Sequence, residues 1–174
     1  MSSTVPSPAP TQPARHRRTV TPLGDYLIAA VGEDITGVWR QEQKHFPAAV
    51  RLGEQTVGAD ALLDAAEAQL AQYLAGERRE FDLPLAPVGT PFQHSVWEQL
   101  SQIPYGATTT YGTIARALGK PRAAQAVGAA VGSNPISIIV PCHRVLASNG
   151  SLTGYAGGME TKQALLRLEG VLLP

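Results

Sequence analysis

The stretch DLPLAPVGTPF, residues 82–92, does most to limit how this chain can fold. A proline inside a helix removes a hydrogen bond and clashes with the preceding turn, so no helix can pass Pro84, Pro87 or Pro91, with Gly89 among them. The chain divides there into two parts of unlike character, and residues 87–90 are predicted to be the linker. At 174 residues it can bury one good core or two small ones.

Before the break, TPLGDYLIAAVGEDITGVWR alternates turn residues with short β-rich runs. It predicts a hairpin with strands near 26–31 and 35–40, turning at Gly32 and Asp34. ADALLDAAEAQLAQYLAGERREF then sets Leu62, Leu63, Ala66, Leu70, Tyr73 and Leu74 on one helical stripe, with Asp60 as N-cap and Gly76 as the stop. Residues 19–86 are therefore expected to be a small α/β domain, an antiparallel hairpin-rich sheet plus a helix.

After the break the pattern is helical. FQHSVWEQLSQIP places Phe92, Val96, Leu100 and Ile103 near one face and ends at Pro104; TTYGTIARALG is a short helix closed by Gly119. PRAAQAVGAAVGSNP follows, with Pro121 at its start and a stop at Asn134 and Pro135. Two short helices across a glycine-containing turn are compatible with a helix-turn-helix, although many helix pairs look the same. The fold class is α+β, with residues 91–174 a mostly helical C-terminal domain.

The opening MSSTVPSPAPTQPARHRRTV has no apolar run ahead of its basic cluster, so it does not read as a signal peptide. Residues 1–18 are expected to be a disordered tail, with Arg15, Arg17 and Arg18 at most a weak contact for a polyanion. One cysteine excludes an internal disulfide and a cysteine-rich metal cage, and favours a reducing, cytoplasmic setting over secretion. No apolar run is long enough to span a membrane.

Fourteen basic and fourteen acidic residues cancel, which argues against binding to nucleic acid by bulk charge alone. The balance is uneven, however: residues 19–88 carry a net −6 and residues 89–174 a net +3. The second part is the one that could sit on phosphate. Its helix from PRAAQAVGAAVG repeats Ala124, Gly128 and Gly132 every four residues, beside Ala129, so one face is almost without side chains. Each interior glycine costs roughly 1 kcal/mol against alanine, so close approach by something should compensate. Either a second helix packs tightly there or a nucleic-acid groove does, with Lys120 and Arg122 placed to suit phosphates.

The sole cysteine, Cys142, stands in IIVPCHRV. The β-branched run ISIIV predicts a strand buried on both faces that ends at Pro141, placing Ile136, Ile138, Val140 and Cys142 on one side. A lone cysteine is often only a small core residue. Against that, His143 and Arg144 follow directly, and a cationic neighbourhood favours the thiolate. Neighbours on a strand point apart, so His143 is expected to reach Cys142 through a water or a bent backbone. In ETKQALLRLEG, Glu169 lies beside the stripe of Ala164, Leu165 and Leu168 and needs a partner if buried. A Cys–His–Glu relay would supply one; a surface Glu169 is the alternative.

With these residues assembled, the sequence closely resembles the O6-alkylguanine-DNA alkyltransferase family. The likeness runs from TPLG at Thr21 through GTPFQHSVWEQLSQIPYGATTTYGTIARALG and NPISIIVPCHRVLASNGSLTGYAGG to LLRLEG at Gly170, and PCHRV between NP and GYAGG is its most specific part. The resemblance implies irreversible transfer of an alkyl group from O6 of guanine in duplex DNA to Cys142, in a single turnover and with no cofactor. It implies His143 as base through a water, Glu169 orienting His143, and Asn134 holding the site loops. It further implies that Tyr111 donates to the base or a phosphate, that residues 151–158, with Tyr155, close over the flipped base, and that the backbone of Val145 and Ala156 hydrogen-bonds it. Arg122, Ala124 and Gly128 fall on the DNA-facing helix.

One position departs from the family pattern. Relatives carry RAVG, whose arginine fills the gap left by the flipped base; here the string is QAVG, with Gln125. Glutamine can bond the orphaned base but carries no charge and stacks less well. Some relatives bind zinc in the first domain, but this chain lacks the cysteines, so no metal is expected. The expected partner is double-stranded DNA containing O6-alkylguanine, met by a monomer that could cooperate along the duplex. Two other functions compete: a lesion sensor that flips bases without repair, and a Cys–His hydrolase of acyl groups.

Overall fold

The computed structural model describes residues 12–172. Strands β1 (Ala14–Thr21), β2 (Gly24–Val31) and β3 (Asp34–Arg40) form an antiparallel meander. After a short helix α1 (Ala49–Leu52), β4 (Glu54–Gln55) adds in parallel to β1, giving the order β3-β2-β1-β4. The expected hairpin is β2 and β3.

Strand β1 revises the reading of the N-terminal tail. Residues 14–18, expected to be disordered, pair with β2 in the register Ala14↔Val31 to Arg18↔Leu27. Their arginines are engaged inside the protein: Arg15 with Asp60, Arg17 with Asp64 and Arg18 with Asp25. Charge matching to Asp25 of the neighbouring strand and to Asp60 and Asp64 at the start of the helix over Ala61–Leu74 lets a polar sequence pair between β2 and β4. The rest of the expected tail, residues 1–11, lies outside the described residues.

Alternation along β2 sorts its side chains to two faces. Tyr26, Ile28 and Ala30 enter the main core with Leu63, Ala66, Leu70 and Tyr73 of helix α2 (Ala61–Leu74). Leu27 and Ala29 meet Trp39 and Leu52 on the opposite face. Gly37 is required there, since a Cβ on it would come within 1.9 Å of the Trp39 ring. Helix α2 starts as expected, with the Asp60 side chain accepting from Leu63 N at 3.1 Å.

The outer edge of β3 is covered by two extended segments. Ile35 N donates to Pro84 O and Ala86 N donates back to Ile35 O, both at 2.8 Å, so the proline-rich stretch lies along the sheet. Further along, Val38 N donates to Pro135 O (2.9 Å) and Ser137 N to Val38 O (3.1 Å). The predicted continuous strand over 136–140 is not formed. Ile138 adopts φ 72°, and the segment folds back so that Val140 N donates to Ile136 O at 3.0 Å. Asn134 is the physical reason, because its side chain accepts from Ile136 N (3.0 Å) and donates to Val140 O (2.8 Å), offering the backbone a local alternative to a ladder. The run is buried, as its composition requires, but as a turn.

The remaining chain is helical: α3 (Pro91–Ser101), α4 (Tyr111–Ala117), α5 (Ala124–Gly132) and α6 (Met159–Leu168), with a two-strand parallel pair of β5 (Thr109–Thr110) and β6 (Val145–Leu146). Helix α3 opens with a capping box between Thr90 and Gln93 and Pro91 in its first turn. Trp97 Nε1 donates to Ala130 O at 2.9 Å and fastens α3 to α5. Buried residues from β2, β3 and α2 are continuous with those of α3, α4, α5 and α6 in one core. No helix among the described residues is long and apolar enough to cross a membrane.

Candidate active site

Cys142, His143 and Arg144 form a single 3-10 turn directly after the Asn134-stapled loop. The bent backbone replaces the expected strand end, and Cys142 N donates to Val140 O at 2.8 Å. Cys142 is 5 % exposed. Burial pushes its thiol pKa up, while a hydrogen bond with Asn134 and the positive charge of Lys162 act in the opposite direction. The expected cationic help from His143 and Arg144 is not what the structure provides. Burial holds His143 below the usual imidazole range, and Arg144 is committed to a carboxylate.

That carboxylate is Glu169, at the C-terminal cap of α6. His143 Nε2 lies 2.6 Å from Glu169 Oε2. Arg144 Nε donates to Oε1 (2.7 Å) and Nη2 to Oε2 (3.1 Å), the Tyr73 hydroxyl donates to Oε2, and Gly106 N donates to Oε1 at 3.3 Å. Burial alone would raise the Glu169 pKa; the hydrogen bonds from His143 and Arg144 more than offset it and hold the carboxyl at about 2. Glu169 is therefore an anion beside a neutral imidazole. An Nε2–H donated to that anion leaves Nδ1 as the basic atom, and Nδ1 is buried with no partner among the described residues.

Two further buried polar atoms lack partners among the described residues, Tyr26 Oη and Tyr155 Oη. Tyr26 is pushed up to about 12 by burial, with Arg40 drawing it down and the thiolate charge of Cys142 adding to the rise. Tyr155 is raised well above its ordinary value by burial and then by Cys142. The buried thiol is thus felt by Tyr26 from β2 and Tyr155 from the loop over 151–158, together with Asn134 and Lys162, and His143, paired with Glu169, follows it directly in the same turn.

Sequence reasoning missed Lys162. It is 1 % exposed, with Nζ donating to Val145 O at 2.7 Å and Thr153 O at 3.4 Å. A signal was present: Lys162, Leu165 and Glu169 share the buried face of α6 at i, i+3 and i+7. The charge joins the backbone beside Cys142 to the loop over 151–158. Tyr111 reaches the same loop, its Oη 2.7 Å from Thr153 Oγ1. The backbone groups expected to receive a base are partly engaged. Val145 N donates to Cys142 O while its own O accepts from Lys162, and Ala156 O accepts from Lys44 N at 3.1 Å.

The glycine-rich face of α5 meets no tightly packed helix. A Cβ on Gly128 would lie 3.8 Å from the Tyr111 ring, an ordinary contact, and one on Gly132 would meet nothing within 4 Å. Internal packing therefore does not demand glycine at either place. Arg122, in the turn ahead of this helix, and Gln125, in its first turn, are exposed and Ala124 is half-buried, whereas Lys120 lies over the Phe92 ring at 5.1 Å. No group of three or more His, Cys, Asp or Glu residues with metal-binding geometry occurs among the described residues.

Comparison with known proteins bears on both parts of the chain. Residues 15–87 match the family model for the 6-O-methylguanine DNA methyltransferase ribonuclease-like domain, and residues 91–171 match that for its DNA binding domain. A methylated-DNA–protein-cysteine methyltransferase of Methanosarcina acetivorans is 47% identical over 150 residues, 86% of this chain and 94% of its own. The inducible enzyme of that name from Bacillus subtilis is 44% identical over 146 residues, 84% of this chain and 79% of its own. The crystal structure of Mycobacterium tuberculosis OGT in complex with DNA superposes with a TM-score of 0.81 at 44% identity, covering 89% of this chain and 92% of that one.

Proposed function

The chain belongs to the 6-O-methylguanine DNA methyltransferase family, and from that premise we propose that it repairs alkylated DNA by moving the alkyl group from O6 of guanine onto Cys142 Sγ. The observation that carries this is the pairing of the sole cysteine's neighbour, His143, with a buried and ionised Glu169 at 2.6 Å.

Glu169 accepts Nε2–H and so fixes the tautomer in which His143 Nδ1 holds a lone pair. Nδ1 takes the thiol proton, with a water as carrier. The Sγ anion then attacks the alkyl carbon in line, so that the S–C bond forms as the C–O6 bond breaks. The departing guanine takes a proton from the Tyr111 hydroxyl, which exchanges its bond to Thr153 for one to the base; the proton held by His143 restores the tyrosine. Burial works in favour of the displacement because a poorly solvated thiolate is the stronger nucleophile, while Lys162 and Asn134 keep its formation accessible. The product is a thioether with no leaving group, so each molecule acts once.

A target stacked in the duplex must leave it to reach a cysteine that is 5 % exposed. We assign α4 and α5 as a helix-turn-helix whose second helix enters the minor groove. That groove, about 6 Å wide, admits the side-chain-poor face of Ala124 and Gly128. Arg122 lies near phosphate, Gln125 takes the place of the extruded base, and the loop with Tyr155 and Ala156 opens to admit it. In this reading residues 91–174 bind DNA and carry the transfer chemistry. The setting is a reducing, DNA-containing compartment.

Incubation with duplex containing O6-methylguanine, followed by intact-mass measurement, tests the assignment. One methyl per protein on Cys142 and none on a Cys142→Ala variant is the expected result. Tight binding to that duplex without a change in mass would sink it.

A further inference from the structure

We infer that Tyr73, a residue of the N-terminal half, is a positioning residue that sets the proton affinity of the His143–Glu169 relay. The inference deepens the transfer reading and rests on it. Tyr73 lies on α2, in the part of the chain that carries none of the groups assigned to the reaction. It is wholly buried, and its hydroxyl donates to Glu169 Oε2, the oxygen that also receives His143 Nε2. The same hydroxyl lies 3.5 Å from Nε2. Burial first, and then the negative charge of Glu169, keep the phenol protonated far above its ordinary value, so it is a fixed donor.

The site around it is closed. Tyr105 packs edge-on against the Tyr73 ring at 6.2 Å, with its own hydroxyl on Leu168 O, and Phe81 lies at 5.3 Å on another side. The charged and titratable groups facing the relay are Arg144 from the 3-10 turn, Lys162 from α6, and Tyr73 itself; Tyr105 and Tyr155 act on Tyr73 in turn, and Arg79 lies over the Tyr105 ring at 5.1 Å. Among them, Tyr73 and Arg144 share Oε2 with His143.

A donor on a carboxylate oxygen withdraws charge from it. Oε2 then holds an imidazolium less strongly than it would alone, and His143 remains an unprotonated base to lower pH. Taking the hydroxyl away makes Glu169 more basic and favours the charged imidazole. The loss of rate should therefore fall on the acid side of the pH profile. A merely structural defect would lower the rate at every pH alike.

The test uses the full chain, with single-turnover methyl transfer from O6-methylguanine duplex followed across pH for the parent, for Tyr73→Phe, and for protein with 3-fluorotyrosine in place of Tyr73. The acid limb should move up by about half a pH unit in Tyr73→Phe, about threefold in rate on the limb. The fluorinated phenol is a stronger donor and should move the limb down. The His143 ring resonances, assigned by their loss in His143→Gln, should titrate with shifts of the same signs in the absence of DNA. Limbs that superpose for all three proteins, or a uniform loss with no displacement, would overturn the inference while leaving the transfer reading intact. If Tyr73→Phe fails to fold, the fluorinated protein and the ring titration decide alone. A parent protein that transfers nothing would instead defeat the function, and this role with it.

Discussion

Glu169 shows how one side chain can be both structurally necessary and chemically useful. It receives hydrogen bonds from His143, Arg144, Tyr73 and Gly106. Glu169→Gln would leave the Arg144 guanidinium without its counter-charge in a buried place, which should cost about 3 kcal/mol in urea unfolding and abolish most of the transfer rate. The same group fixes a pH dependence. Its folded carboxyl, at about 2, lies below the ordinary 4.5, so its contribution to stability is complete above about pH 4.5 and is lost as the pH falls toward 2. Stability of Glu169→Gln should accordingly fall less steeply than the parent's in that window. Gln125 is a separate matter, exposed at the start of α5. Gln125→Arg should transfer methyl from duplex faster, by roughly fivefold if cation and stacking contribute about 1 kcal/mol to extrusion. Equal rates for the two proteins would remove any role for this position in holding the base out.

At the scale of elements, α5 makes the sharpest prediction, because stability and binding should change in opposite directions. Gly128→Ala adds a methyl 3.8 Å from Tyr111, where it fits, and should stabilise the helix by up to about 1 kcal/mol in thermal melts. On the DNA side the same methyl occupies space that the groove needs, so duplex affinity should weaken. A variant that melts higher and binds as well as the parent would remove α5 from the groove. Elements also show where the sequence could be read and where it could not. The α2 stripe, the Asp60 cap and the β2–β3 hairpin follow from periodicity and turn chemistry, and all are present. The ISIIV run misleads because β-branching reports burial, and Asn134 turns a buried segment into a loop through bonds that no periodicity encodes. Strand β1 was hidden for the opposite reason, since its arginines are matched by acids far along the chain. Glu169 advertised its need for a partner by standing beside an apolar stripe. Tyr73 gave no such sign, because a tyrosine on an amphipathic helix looks like core, and its target lies 96 residues away.

Across the whole molecule, the proline-rich break divides the sequence without dividing the interior. One continuous set of buried side chains runs from β2 and α2 to α5 and α6. Heating should therefore give a single cooperative transition, with calorimetric and van't Hoff enthalpies in agreement and amides of β2 and α6 exchanging at a common limiting rate. Two separated melting steps would contradict a shared core. The segment over 135–137 occupies the outer side of β3 and leads straight into the reactive turn. A copy whose reactive turn is misassembled therefore also bares an unpaired strand flank, the kind of surface on which chains stick to one another. The cover of β3 and the anchoring of the reactive turn are one and the same set of backbone bonds, so neither can be lost without the other.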